Sequence, residues 1–177
     1  MDDSRLRLPY AATELAQTYA GVGSLPVRVI LNDVRSLYNV GAFFRTVDAV
    51  GAERICLSGI TGHPTRREVR KTALGAEDHV AWETCPDLAA HIEELRSREF
   101  EIAAVETCGH SVDLFDWRPR FPVALLFGNE VDGLPEDLLT RCDTYIRLPM
   151  RGIKHSLNVA TAGGVVLYEL LRKYRQL

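Results

Sequence analysis

Short apolar runs alternate along this chain with longer amphipathic segments. Residues 27–32 form a compact β-branched run, whereas residues 40–50 repeat apolar side chains at helical spacing and stop at Gly51. The alternation continues and predicts further strands near residues 54–57, 79–83, 100–105, 123–127 and 145–148, and further helices near residues 66–74, 87–98, 135–141 and 156–174. Strands separated by helices are typical of βαβ units. We therefore predict an α/β fold with a mostly parallel sheet flanked by helices.

A single domain accounts for most of the chain. Its 177 residues suit one full hydrophobic core, and no internal repeat or low-complexity segment interrupts the pattern. Residues 1–26 are predicted to be an N-terminal extension with a helix near residues 10–20. Residues 27–177 are predicted to form the single domain that follows.

Composition favours a soluble protein in the cytoplasm. Apolar residues make up 46% and charged residues 25%, as in ordinary globular proteins. No apolar stretch approaches a membrane span, and no secretory signal is visible at the N-terminus. The four cysteines, Cys56, Cys85, Cys108 and Cys142, are scattered without a CxxC pair. We expect reduced thiols, with neither a disulfide framework nor a metal site.

The charge distribution is uneven. A net charge of −3 counts mildly against a nucleic-acid partner. However, a basic cluster formed by Arg66, Arg67, Arg70 and Lys71 stands out locally, and Lys154 lies just before a polar turn. The cluster is interpreted either as a solvated surface or as a contact for an anionic partner.

Three polar segments lie at predicted junctions between strands and helices. The first runs from Asn39 to Arg45, the second covers residues 128–133, and the third begins at Ser156 and includes Asn158. In open α/β sheets, ligands bind at the carboxyl ends of the strands. Three such segments in one small domain therefore predict a shared binding site.

Each segment also has a purely structural interpretation. Residues 128–133 match neither a P-loop nor a dinucleotide fingerprint, and they could form a tight turn without a ligand. Asn39 and Ser156 could each cap a helix. Arg45 lies among apolar helix residues, so it is expected to need a partner, either Glu130 or a bound phosphate.

The same segments resemble the signatures of the SpoU (TrmH) family of RNA 2′-O-ribose methyltransferases, within the SPOUT class. The matching motifs lie in residues 39–45, 126–134 and 146–160, and residues 71–77 match a further common segment. The resemblance extends from about residue 27 to residue 171. Three ordered motifs at matching spacing are far more specific than one glycine loop.

This resemblance implies a C-terminal trefoil knot, a homodimer with the final helix in its interface, and S-adenosyl-L-methionine as the methyl donor. The donor would be held, largely by backbone groups, by a set of loop residues. These residues are Thr107, Gly128, Asn129, Gly133, Ile146, Leu148, Met150, Ser156 and Leu157.

The resemblance also implies a catalytic set and an RNA substrate. Arg45 would position a phosphate and stabilise the developing 2′-alkoxide, since guanidinium is a poor base. Asn39 and Glu130 would orient Arg45 and the ribose, and Ser156 and Asn158 would complete the wall of the site. No metal is required for this chemistry.

RNA, transfer or ribosomal, would contact the basic cluster and Lys154. A knotted RNA-binding protein without catalytic activity is the alternative. A Rossmann-type dehydrogenase is disfavoured, because no G-x-G-x-x-G follows the first strand.

Overall fold

The computed structural model describes residues 23–176. Its strands are β1 (Leu25–Asn32), β2 (Ala52–Ser58), β3 (Trp82–Cys85), β4 (Glu101–Val105), β5 (Val112–Asp113), β6 (Val123–Phe127) and β7 (Thr144–Arg147). Its helices are α1 (Leu37–Val50), α2 (Arg67–Ala73), α3 (Leu88–Ser97), α4 (Glu136–Leu139) and α5 (Val159–Tyr174), with one 3₁₀ turn at Ala76–Asp78.

The strands form one seven-stranded sheet in the order β3-β2-β1-β6-β4-β7-β5. Every neighbouring pair in it is parallel, which confirms the predicted α/β class. β6 joins the centre of the sheet between β1 and β4, so the carboxyl ends of β4, β6 and β7 are adjacent. This edge is where polar residues following the strands can meet.

Apolar side chains on the two faces of the sheet build two cores. Val29 and Leu31 of β1 contribute to the core that includes α1 and α5, whereas Ile30 contributes to the core on the α3 face. β6 follows the same rule, because neighbouring side chains on a strand point to opposite faces. The central strands are apolar on both sides, as expected of a sheet covered by helices on both faces.

α1 and α5 pack closely on one face of the sheet. α1 begins after Ser36, whose side chain accepts a hydrogen bond from the Asn39 backbone N–H. It ends at Val50 and is followed by Gly51 in the left-handed conformation. Where the two helices meet, a Cβ built on Gly163 of α5 would overlap the ring of Phe43. Glycine is therefore needed at residue 163 for this packing.

Two predicted boundaries are wrong for identifiable reasons. The strand expected at residues 79–83 lies instead at Trp82–Cys85, because the Val80 N–H bonds to the Ala76 carbonyl and extends the preceding turn. Ser156 does not cap the last helix. Asn158 does, accepting hydrogen bonds from two backbone N–H groups, and the helix starts at Val159.

The sequence predicts an N-terminal helix and a domain that starts at residue 27. The helix expected near residues 10–20 lies outside the described residues. β1 begins at Leu25, two residues before the predicted start of the domain. Within residues 23–176, no helix has both the length and the apolar character that crossing a membrane would require.

Candidate functional site

A cavity of about 310 Å³ opens at the carboxyl ends of β4, β6 and β7. Val105, Phe127 and Ile146, the apolar strand residues that line it, give it an apolar floor. Loops after the three strands and the segment before α5 form its walls. We call it the strand-end cavity, and its position is the one at which open parallel sheets bind ligands.

The structure brings together all nine residues that the sequence predicted as donor-binding. Lining the strand-end cavity are Thr107, Gly128, Asn129, Gly133, Ile146, Leu148, Met150, Ser156 and Leu157. They come from four separate segments of the chain, so only the folded topology places them side by side. Three of the five predicted catalytic residues line it as well: Ser156, Glu130 and Asn158.

The loop after β6 closes on itself through two backbone hydrogen bonds. The Asn129 N–H donates to the Gly133 carbonyl and the Gly133 N–H donates to the Asn129 carbonyl, both at 3.0 Å. The Asn129 side chain accepts from the Val131 N–H and donates to the Asp33 carbonyl, which ties the loop to β1. A Cβ on Gly128 would overlap the Gly133 carbonyl carbon, so this turn requires glycine at residue 128.

Glu106 is a cavity residue that the sequence analysis missed. Its carboxylate accepts hydrogen bonds of 3.2 Å from the Thr107 and Leu134 backbone N–H groups. A Cβ on Gly133 would crowd the same carboxylate, so Gly133 leaves space for it. Glu106 directly follows β4, and the strand-end rule could have identified it. Arg147 and His155 also line the cavity; both lie within the third motif, but neither is assigned a role by the sequence.

A hydrogen-bonded chain of side chains connects three of the predicted catalytic residues. Asn158 Nδ2 donates to Asn39 Oδ1 at 3.0 Å, and Asn39 Nδ2 donates to Glu130 Oε1 at 2.8 Å. Ser36 caps α1, so the Asn39 side chain is free to join this chain rather than act as a cap. All three polar segments therefore meet at one edge of the strand-end cavity.

Glu130 is held as a carboxylate. Its two oxygens accept hydrogen bonds from the Arg35 and Ser36 backbone N–H groups at 3.0 and 3.1 Å, in addition to that from Asn39. Partial burial opposes ionisation, but these donors outweigh it and lower the pKa of Glu130 below its ordinary value. A carboxylate engaged in this way serves as a fixed acceptor rather than as a proton shuttle.

Arg45 lies apart from this network within the chain. Of the two partners expected for it, Glu130 or a bound phosphate, Glu130 is hydrogen-bonded instead to Arg35, Ser36 and Asn39, and Arg45 is exposed rather than buried. Its position on α1 faces outward, so the side chain is exposed and lines a surface groove with Thr46, Lys71 and Tyr168. The hydrogen-bond donors to Glu130 lie at the start of α1 instead. Within this chain, Arg45 therefore does not line the strand-end cavity.

The basic side chains predicted to bind RNA are exposed, but they are not equivalent. Arg66, Arg67 and Lys71 are solvent-exposed around α2, and Lys154 is exposed beside the cavity. Arg70 lies 3.2 Å from Glu77 and 3.9 Å from Asp78, so its charge is largely engaged within the protein. The exposed aromatic ring of Tyr38 shares a groove with Arg67 and Lys71.

Comparison with known proteins gives a consistent result. The model of the SpoU rRNA Methylase family matches residues 26–168. A putative TrmH family tRNA/rRNA methyltransferase of Staphylococcus haemolyticus is 31% identical over 148 residues, which cover 84% of this chain and 59% of that protein. The chain thus spans about three fifths of the curated relatives that it matches.

Solved structures match as well. The AdoMet-bound rRNA methyltransferase of Sinorhizobium meliloti superimposes with a TM-score of 0.77 at 31% identity, over 85% of this chain and 60% of that one. A structure described as giving insights into 2-OH methylation of C/U34 on tRNA superimposes with a TM-score of 0.77 at 30% identity. That match covers 85% of this chain and 97% of the other.

Proposed function

Since this chain belongs to the SpoU rRNA Methylase family, we propose that it transfers a methyl group from S-adenosyl-L-methionine to a ribose 2′-hydroxyl of RNA. The observation that carries the proposal is the strand-end cavity. It is lined by all nine predicted donor-binding residues and bordered by the Asn158–Asn39–Glu130 chain.

The cavity suits this donor chemically. An apolar floor of Phe127 and Ile146 fits a purine ring, and the carboxylates of Glu106 and Glu130 suit sugar hydroxyls and a positive charge. Gly128 and Gly133 let the backbone approach closely. When bound, S-adenosyl-L-methionine supplies a methyl group attached to a positively charged sulfur.

The residues of this chain then have distinct roles in the proposed reaction. Arg45 binds an RNA phosphate and stabilises the negative charge that develops on the ribose oxygen. The proton of the 2′-hydroxyl passes to a phosphate oxygen, because a guanidinium stays protonated. Asn39, positioned by Glu130 and Asn158, holds the ribose in line with the donor methyl. Ser156 completes the cavity wall.

A homodimer places Arg45 in this reaction. Its exposure within its own protomer supports a site completed by the Arg45 of the neighbouring subunit. Exposed apolar side chains next to its groove supply a suitable interface: Leu74 is 47%, Val165 39% and Tyr168 55% exposed. The proposed fold also contains the C-terminal trefoil knot that the family resemblance implies.

RNA binds, in this proposal, along the face that carries α2. Arg66, Arg67 and Lys71 supply phosphate contacts, and Tyr38 offers a ring on which a base can stack. Lys154 adds a charge beside the cavity, whereas Arg70 contributes less because of its ion pairs. Transfer RNA is the first substrate to test, because the tRNA-related structure matches over nearly its whole length.

A labelling experiment tests the function directly. The full chain is incubated with methyl-labelled donor and either transfer or ribosomal RNA, and the product is hydrolysed with alkali. A 2′-O-methylated ribose blocks alkaline cleavage, so the label is expected in alkali-resistant dinucleotides.

Label found on a base would overturn ribose methylation. RNA binding without any calorimetric signal for donor binding would favour the alternative, a knotted RNA-binding protein that performs no chemistry.

A further inference from the structure

We propose that Cys56, Cys85 and His91 form a zinc site that is separate from the strand-end cavity. Their three ligand atoms all lie within 4.8 Å of one another. β1 separates the strands that carry the two cysteines from β6, the nearest cavity strand. The proposal therefore stands independently of methyl transfer.

Strand register explains why two cysteines far apart in sequence become neighbours. Cys56 of β2 pairs with Glu83 of β3, and Ser58 pairs with Cys85. Since side chains alternate along a strand, Glu83 and Cys85 point to the same face as Cys56. Asp87 then caps α3, which carries His91 back over that face. Three elements, β2, β3 and α3, thus assemble one cluster.

The spacing fits a tetrahedral metal ion. Cys56 Sγ and His91 Nε2 are 3.4 Å apart. Zinc bonds of roughly 2.3 Å to sulfur and 2.0 Å to nitrogen, at tetrahedral angles, put neighbouring ligand atoms about 3.5–3.8 Å apart. Small side-chain rotations close the remaining difference. A tetrahedral Cys–Cys–His set leaves one further position to fill.

Groups around the cluster fit the outer shell of a metal site. His91 Nδ1 faces Glu94 Oε2 at 3.8 Å, while Nε2, on the opposite side of the ring, lies 3.4 Å from Cys56 Sγ. Metal-binding histidines are commonly oriented by such a carboxylate. Glu83 Oε1 accepts a hydrogen bond from Cys56 Sγ at 3.3 Å and lies 3.2 Å from Arg54, beside the three ligand atoms rather than among them.

The donor set selects the type of metal. Two thiolates and an imidazole favour Zn²⁺ over the oxygen-preferring Mg²⁺ and Ca²⁺. The Cys56 and Cys85 residues are 0% and 4% exposed, whereas the His91 side chain is 13% exposed and marks the route of entry. Bound zinc would fasten the edge strand β3 to β2 and α3, which makes the ion structural rather than catalytic.

Cobalt substitution tests the site in the full chain. The protein is reduced, freed of metal with a chelator and titrated with Co²⁺, then with Zn²⁺. One equivalent of Co²⁺ per protomer should produce thiolate-to-cobalt charge-transfer absorption, which Zn²⁺ should abolish. Cys85→Ser should lose the absorption, and the matched variant Cys142→Ser should keep it.

A second ligand variant makes the result decisive. His91→Gln alters a partly exposed ligand and should weaken cobalt binding at least about tenfold, even if Cys85→Ser fails to fold. Absence of cobalt absorption in wild-type protein with titrated, reduced thiols would overturn the proposal. So would retention of full affinity in His91→Gln, or a Cys56–Cys85 disulfide in protein that binds no cobalt after reduction.

Discussion

Asn158 and Asn39, 119 positions apart in the sequence, are joined by a hydrogen bond of 3.0 Å. The same Asn158 side chain accepts the first free N–H groups of α5, from Ala160 and Thr161. One residue thus caps a helix with its oxygen and positions a site residue with its nitrogen. These two roles can be separated by mutation.

Asn158→Ala removes both roles, and Asn158→Asp removes one. Loss of the cap in Asn158→Ala should cost about 1 kcal/mol and lower the melting temperature by about 2–4 °C. Asn158→Asp keeps the capping oxygen but cannot donate to Asn39. It should therefore keep the wild-type melting temperature while its methyl-transfer turnover falls below that of the wild type. Thermal unfolding and turnover check this pair. Wild-type turnover in Asn158→Asp would contradict the positioning role.

Glu130→Gln should destabilise the protein in a pH-dependent way. The folded-state pKa of Glu130 is depressed, so its contribution is present above the unfolded pKa of about 4.3 and is lost as pH falls through the folded value. Urea unfolding should therefore separate wild type from Glu130→Gln at pH 7 and bring them together in acid. Asp132→Asn, in the same loop, serves as control. A difference that persists unchanged in acid would refute the electrostatic explanation.

Arg45→Ala should abolish methyl transfer while donor binding, measured by calorimetry, stays near wild type. The proposed role in the neighbouring subunit adds a complementation test. Leu157 is 43% exposed, so Leu157→Trp should block the cavity without unfolding the chain. Random pairing of equal amounts of the two inactive variants should restore about a quarter of wild-type activity. If verified mixed dimers recover no activity, Arg45 does not complete the site of the neighbouring subunit. It would then act within its own subunit or take no part in the reaction.

Charge reversal at Arg66 and Arg67 should weaken RNA binding and flatten its dependence on salt. Each lost phosphate contact lowers the slope of log K against log salt by about 0.7–0.9. The double variant should thus change that slope by about 1.5. Arg98→Glu, next to the amino end of β4, is the matched control and should bind normally. An unchanged slope in the double variant would move the RNA path elsewhere.

Two adjacent glycines of α5 should respond in opposite directions to alanine. A methyl group at Gly163 meets the ring of fully buried Phe43, so Gly163→Ala should destabilise the fold by about 1–3 kcal/mol. Gly164 has nothing within 4 Å of its would-be Cβ, and Gly164→Ala should stabilise the helix by up to about 1 kcal/mol. Urea unfolding at fixed protein concentration measures both. Equal effects would contradict the packing argument.

The sequence predicts the fold and the cavity well because both depend on strong local patterns. β6 was placed at residues 123–127, the bounds that the structure has, since it is a continuous apolar run bounded by turn residues. The cavity residues follow strands at recognisable motifs. Glu106 was overlooked because it belongs to no motif, although it directly follows β4.

Relationships between distant segments were harder to predict. The outward position of Arg45 depends on which face of α1 meets the sheet, and the neighbouring Phe43 and Phe44 suggested burial. Asn158 rather than Ser156 starts α5, because capping depends on backbone geometry that several polar residues could provide. Cys56 and Cys85 meet only through the register of β2 and β3, which spacing along the chain does not reveal.

Glu130 accepts hydrogen bonds from the Arg35 and Ser36 N–H groups and thereby links the loop after β6 to the start of α1. That 14-residue helix also carries Arg45. A ligand that displaces this loop would therefore also act on the helix that carries Arg45. In the proposed dimer, occupancy of one subunit would then alter the site that this arginine completes in the other.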